Sequence, residues 1–333
     1  MVIAPAFVIL YILALIFGFL DGFHNSANIV ATVISSRAMH PRQALSVAAV
    51  AELVGPFLFG TAVAQTIGAE LVDPDAVTMP VIYAAIISAI VWKLVTWRMG
   101  VPSSSSHSLF GGLVGAVLVG AGADALLPAG MRTIVLVLLL SPLFGLIGGY
   151  VGMVITMFIV RGSTPAVNQY FKRGQIVTST GLAMVHGSNN AQKVMGILAL
   201  GLVATNMSDE VNNPFWIVIS AAGALALGTF FGGTKIIRTV GGKFYKIRPV
   251  HGFTAQATTA TIVLGATLIG GPVSTTQVVS SSIVGVGAAE RMSKVRWSVF
   301  KDIALAWLIT LPVTALLAAL LYWPLDYLSA IAG

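Results

Sequence analysis

The chain contains no cysteine in its 333 residues. That excludes disulfides, thiolate metal sites and cysteine nucleophiles together. Charge is nearly as scarce: 9% of residues are charged, where a soluble domain carries about 25%. With 57% hydrophobic residues and a mean hydropathy of +0.93, the chain could not cover a water-exposed surface. No Walker-type or GxGxxG pattern stands in a strand-to-helix context, and no His/Asp/Glu spacing suits a catalytic metal. The first twenty residues lack a basic leader and a small-residue cleavage site. They read as a first membrane segment, not a signal peptide.

What is present is apolar sequence in long runs. A spanning helix needs about 20 mostly apolar residues, and ten segments qualify: 5–34, 44–68, 78–97, 100–122, 132–160, 176–203, 214–234, 252–271, 272–289 and 300–322. The expectation is an all-α integral membrane protein of ten to twelve spans, forming a single membrane domain in the lipid bilayer.

Charge position supports the layout. With both termini outside and the segments alternating, 16 of the 18 lysines and arginines fall at inner ends, in clusters at 37–42, 93–98, 161–173, 235–248 and 291–301. Arg132 alone lies outside, and Lys193 lies within a segment. This is a positive-inside pattern. It explains the net charge of +7 through inner loops and not through a nucleic-acid partner. Glu70, Asp73, Asp75, Asp124, Asp209, Glu210 and Asp326 mark the outer loops, and Asp21 and Glu52 remain inside segments.

The chain also repeats itself. Residues 22–28 read G-F-H-N-S-A-N, and 187–193 read G-S-N-N-A-Q-K, 165 residues further on. Residues 102–107 read P-S-S-S-S-H, and 272–277 read P-V-S-T-T-Q, 170 residues further on. Gly115 and Gly285 follow the second pair at equal distance. Two matched pairs in the same order indicate a duplicated unit. Five segments per unit, an odd number, invert the second copy. The expected organisation is a first inverted repeat at 1–160, a cytoplasmic connector at 161–175 and a second inverted repeat at 176–333. Inverted repeats with polar, Gly/Pro-interrupted segments mark secondary transporters.

The polar segments carry the candidate chemistry. A Pro-Ser-rich run is hard to place in a lipid-facing helix, because unpaired backbone survives only where it lines a protein cavity. A re-entrant hairpin whose turn opens a helix solves the problem, and the free N–H groups there make an anion site. Ser104, Ser105 and Ser106 in one turn, and Thr275 and Thr276 in the other, are candidate contacts for a tetrahedral oxyanion. Asn25, Asn190, Gln192 and Lys193 are candidate contacts beside them. His107 and Gln277 hold equivalent places in the two hairpins, as hydrogen-bond donors. Asp21, Asn25 and Asn28 follow i, i+4, i+7 spacing and share a helix face. With Asn189 and Glu52 they are candidate ligands for sodium, a hard cation suited to such oxygens. Intramembrane carboxylates are costly and therefore functional candidates by default. His186 and His251 read as structural, and His40 as a loop residue. Paired glycines such as Gly111-Gly112 and Gly148-Gly149 read as helix-packing surfaces.

These residues resemble the inorganic phosphate transporter (PiT) family. Its G-x-N-D-x-A-N-type signature matches 22–28 and 187–193, its P-x-S-[ST]-T-[HQ]-type segment matches 102–107 and 272–277, and its W-x-x-T-x-P tail matches Trp307, Thr310 and Pro312. The resemblance covers nearly the whole chain. It implies an inverted-repeat helical fold, phosphate as substrate, sodium or proton as coupling ion, a transport role for Glu52 and a homodimer. The chain departs from the pattern at Asn25 and Asn190, where the family's aspartate is expected, while a carboxylate stands one turn earlier at Asp21.

The expected function is phosphate import by sodium symport with alternating access, in the cell membrane. Proton coupling through Asp21 or Glu52 is the alternative, as is a carrier of a related oxyanion such as sulfate. A channel and a membrane-bound enzyme are more distant, the latter because the hydroxyl-rich turns lack a convincing base.

Overall fold

The computed structural model describes residues 4–232, 237 and 247–332. Lys235, Arg238, Lys243 and Lys246 of the 235–248 cluster lie outside the described residues, as do the last two positions of the expected segment 214–234. The described residues form ten long helices. They are α1 (Pro5–Ser35), α2 (Pro41–Phe59), α3 (Met79–Met99), α4 (Ser105–Gly120), α5 (Pro128–Ile159), α6 (Val167–Ala204), α7 (Phe215–Phe231), α8 (Pro249–Leu268), α9 (Thr275–Arg291) and α10 (Trp297–Ala332). Proline opens α1, α2, α3, α5 and α8 at the first or second position, where its missing N–H would be unpaired anyway. Gly100, left-handed at φ 69°, closes α3, as a helix C-cap requires.

Each expected segment has its helix, with one difference. The stretch 44–68 is not continuous. Gly60, at φ 76°, stops α2. A short helix Ala62–Gln65 follows and runs into a π-turn at Thr66–Glu70. Among the described residues, five helices (α1, α2, α3, α5 and α10) are long and apolar enough to cross a membrane, and α4 and α7 are shorter apolar helices.

Burial separates two kinds of helix. On α5 a narrow stripe is buried, including Ile134, Leu138, Ser141, Gly145, Gly149 and Met153, while Leu139, Leu143, Phe144 and Ile147 are exposed. Such an apolar outer face needs lipid, not water. By contrast, α9 is buried at every position from Thr275 to Ala288, and α4 is nearly so. These two lie inside the protein, where Ser105, Ser106 and Ser108 of α4 and Thr275 and Thr276 of α9 meet protein partners.

The helices α3 and α4 form one hairpin and α8 and α9 another. The turn before α4 is buried, with Ser103 at 0% and Ser104 at 1% exposure. The sixteen-residue α4 is about 24 Å long at 1.5 Å per residue, short of the ~30 Å hydrocarbon thickness. The tip of the hairpin therefore lies within the molecule, as the Pro-Ser run required.

Around the hairpins, α1 packs on α7, α2 on α6, α4 on α10 and α5 on α9. The contacts are backbone-close. A Cβ on Gly22 would lie 1.9 Å from the Leu225 carbonyl oxygen, and one on Gly228 would lie 1.9 Å from that of Phe19. Likewise, Gly55 meets the Met184 carbonyl at 1.9 Å and Gly187 meets that of Glu52 at 2.4 Å. Only glycine permits this spacing in a membrane interface. Gly111 and Gly149 pack the same way, against Leu311 and Ser282.

The acidic loops share one end of the molecule. Asp73 N–H donates to the Ala125 carbonyl, next to Asp124, and Asp75, Asp209 and Glu210 line one polar cleft. The opposite end joins Ser36, Gln175 and Pro249 through side-chain hydrogen bonds and carries the Arg248–Glu290 ion pair. His251 completes this end by accepting from the Arg248 backbone N–H at 3.1 Å.

Candidate functional site

The two hairpin tips meet in the middle of the fold. Ser104 and Ser274 are the N-caps of α4 and α9, each accepting the N–H three residues on, from His107 and Gln277. Each tip also reaches the other. The Ser106 hydroxyl donates to the Val273 carbonyl at 3.0 Å, and the Thr276 hydroxyl contacts the Ser103 carbonyl at 3.4 Å. His107 and Gln277 face each other, 3.5 Å between their Nε2 atoms. Two helix N-termini are thus brought together, with the positive ends of their dipoles and unpaired N–H groups.

The signature residues of α1 and α6 close the sides. Asn25 donates to Asp21 Oδ1 at 2.6 Å and lies 3.5 Å from the Ser105 hydroxyl. Its carbonyl oxygen accepts from Thr276 at 3.2 Å. Asn28 donates to the same Thr276 hydroxyl oxygen at 2.9 Å. On the other side, Asn190 donates to the His186 carbonyl at 2.9 Å and contacts Thr275 at 3.5 Å. Lys193 donates to Asn190 Oδ1 at 2.6 Å and approaches the Ser105 hydroxyl at 3.4 Å. Asp21, Asn25, Asn28, Ser105, Thr275, Thr276, Asn190 and Lys193 therefore form one buried network drawn from α1, α4, α6 and α9.

Three expected site residues sit differently. The Gln192 carbonyl oxygen accepts from the N–H groups of Val63 and Ala64 at 2.7 and 3.2 Å, and its amide donates to Ser188 at 3.0 Å. Gln192 thus caps the short helix after α2 through its carbonyl oxygen. Asn189 donates to Thr267 and to the Gly271 carbonyl, at 2.9 and 3.2 Å, tying α6 to the second hairpin. Glu52 pairs with His186 at 2.6 Å, both fully buried, and the carbonyl of that same His186 accepts from Asn190.

The structure adds Lys93, grouped by sequence with the inner-end cations. It is 1% exposed and donates to Asp21 Oδ1 at 2.7 Å. A lysine inside the apolar run of α3 was the available signal, because an intramembrane lysine needs a partner. His24, a member of the polar cluster that the sequence places on α1, accepts at Nε2 from the Ser103 N–H at 3.2 Å, so α1 holds the first hairpin tip.

The network and the residues around it have oxygens to offer. Asp21 Oδ2, Asn28 Oδ1, Glu52 Oε2, Asn189 Oδ1 and Gln277 Oε1 are buried without a hydrogen-bond donor. Buried acceptors left unpaired cost free energy, and a hard cation is the kind of group that satisfies them. The serine and threonine hydroxyls, the N-terminal N–H groups and Lys193 supply donors for an anion.

Fold and site together define a multi-pass membrane transporter for a small oxyanion. Comparison with known proteins gives the family. The chain matches the phosphate transporter family over residues 21–165 and 160–318, and it belongs to that family. It is 45% identical over 323 residues to a probable low-affinity inorganic phosphate transporter of Bacillus subtilis, covering 96% of this chain and 97% of that one. A protein of the same description from Rhizobium meliloti is 41% identical, with 97% of each chain covered. Among solved structures, one described as "The sodium-dependent phosphate transporter" matches with a TM-score of 0.88 and 28% identity, over 97% of this chain and all of that one.

Proposed function

We propose that the protein imports inorganic phosphate by symport with sodium, through alternating access of two inverted halves, residues 1–160 and 176–333. The observation that carries this reading is the pair of facing helix N-termini, joined by Ser106 and Thr276 across the two tips. Phosphate binds there, held by the N–H groups and hydroxyls of Ser104, Ser105, Ser106, Thr275 and Thr276, with His107 and Gln277 behind them and Asn25, Asn190 and Lys193 beside them. Sodium binds on the α1 side through Asp21 Oδ2, Asn28 Oδ1 and the Asn25 carbonyl oxygen, with Glu52 and Asn189 offering further unpaired oxygens. Its charge offsets that of the anion. The structural relative is named as sodium-dependent, which agrees with this reading.

Support for two inverted halves comes from exchange of partners. Advancing each helix label by five turns α1–α7 into α6–α2, and α4–α10 into α9–α5. The glycine contacts exchange too: Gly22 on Leu225 and Gly187 on Glu52 become one another, as do Gly228 on Phe19 and Gly55 on Met184. The positive-inside pattern puts both termini outside the cell membrane, and the family resemblance adds a homodimer.

The test is labelled-phosphate uptake into proteoliposomes under an imposed sodium gradient, then under a proton gradient. Accumulation under sodium alone is expected. One observation favours a second reading: the buried Glu52–His186 pair is placed to hold a proton within the cycle. Uptake driven by protons without sodium, lost in Glu52→Gln, would establish that reading instead.

A further inference from the structure

Asn28 and Lys193 hold the same place in the two halves. Each lies three residues after its signature asparagine, Asn25 or Asn190. Each donates to that asparagine's Oδ1, at 3.4 Å for Asn28 and 2.6 Å for Lys193. Each also crosses to a hydroxyl in the first turn of the other half's buried helix. Asn28 reaches Thr276 on α9 at 2.9 Å, and Lys193 reaches Ser105 on α4 at 3.4 Å.

The two ends differ in what they offer. Asn28 keeps a buried carbonyl oxygen with no donor, free to ligate a cation. A lysine ammonium has three donors and no acceptor. It ligates no cation, and it places a positive charge where the first half has an amide. Lys193 is 0% exposed, and both atoms it bonds are neutral oxygens. The same oxygens, a carboxamide and a hydroxyl, are the type that bind sodium in transporters.

We propose that Lys193 is a tethered cation that replaces a second coupling ion. Its ammonium fills the second-half counterpart of the Asn28 site, contributes a fixed positive charge beside the phosphate, and leaves cation binding to the first half alone. The Asp21–Lys93 pair does not duplicate this device, because Lys93 engages Oδ1 and leaves Oδ2 open. The proposal rests on the phosphate-symport reading above and sets how many ions that symport uses.

The test is phosphate uptake by proteoliposomes of wild type, Lys193→Asn and Lys193→Arg across a range of sodium concentrations. Lys193→Asn restores the amide found at position 28. Its order in sodium is expected to exceed the wild-type order by about one, with phosphate affinity at low sodium falling about tenfold, within the usual range of site coupling. Lys193→Arg, which keeps the charge, is expected to retain the wild-type order. An unchanged order in a transporting Lys193→Asn protein overturns the proposal. If wild-type uptake ignores sodium, the symport reading fails on that arm alone. The lysine proposal then stands or falls on whether Lys193→Asn acquires sodium dependence. If Lys193→Asn does not accumulate phosphate, the same comparison is made on purified protein, as the rise in melting temperature caused by phosphate in sodium or in choline. A rise that depends more steeply on sodium in the variant than in the wild type supports the tethered cation, and one with the same sodium dependence in both overturns it. An equal rise in both salts, or none in either, overturns it.

Discussion

At the scale of single residues, the buried Lys93–Asp21 pair decides what the α1 cluster can tolerate. Both side chains are buried, so their attraction must offset the loss of water around two charges. Removing one partner strands the other, which costs about 3–5 kcal/mol in such pairs. Lys93→Met is therefore expected to lower the melting temperature of the purified protein sharply. Asp21→Asn combined with Lys93→Met is expected to recover most of the loss, because no uncompensated charge remains. A double variant as unstable as the single one would mean that Lys93 acts through packing rather than charge. The N-cap serines make a second, milder residue-scale case. Ser104 and Ser274 each satisfy one N–H at a hairpin tip, and an N-cap lost to alanine costs about 1 kcal/mol. Ser104→Ala and Ser274→Ala are expected to weaken phosphate uptake to similar extents, read as a raised half-saturating phosphate concentration. A large loss from one and none from the other would show that only one tip binds the anion.

At the scale of elements, glycine contacts set how closely α1, α2, α6 and α7 approach. Gly22 has the Leu225 carbonyl at 1.9 Å from any added Cβ, and Gly55 has the Met184 carbonyl at the same distance. Valine at either position must push two helices apart, and overpacking typically costs about 1–3 kcal/mol. Gly22→Val and Gly55→Val are expected to lose both yield and thermal stability. Gly223, with open space around its Cβ, is expected to accept alanine unchanged in the same melt. The helices themselves were legible in the sequence, because long apolar runs opened by prolines leave few alternatives. The hairpin tips were legible too, because Pro102 and Pro272 with their hydroxyl runs suit no lipid-facing helix. What was not legible depends on distant partners. The Gln192 side chain is polar, buried and next to the signature asparagine, so it read as a ligand. Its oxygen is instead taken by the N–H groups of Val63 and Ala64, exposed by a break at Gly60 that an apolar window does not register. Lys93 was misplaced for a related reason: a lysine near the end of a segment resembles a loop cation until the helix face is known, and the face here is turned to Asp21.

At the scale of the whole molecule, the segregation of charge and the absence of cysteine combine into a direct topology test. Asp75 and Ser163 are both exposed, and they belong to opposite ends of the fold. Asp75 lines the cleft with Asp209 and Glu210, while Ser163 lies between α5 and α6, on the connector rich in basic residues. If lysine and arginine retention fixes the orientation, the acidic end faces outward. Because the chain has no cysteine, Asp75→Cys and Ser163→Cys each introduce one thiol with no background. Asp75→Cys is expected to react with a membrane-impermeant maleimide in intact cells, and Ser163→Cys only after the cells are opened. The reverse pattern would invert the whole molecule, and with it the side from which phosphate enters. Labelling of both thiols in intact cells would break the assignment of the loops to opposite faces, and the inverted relation between the halves would fall with it, since five segments per half invert the second only if the fifth ends on the face opposite to where the first began.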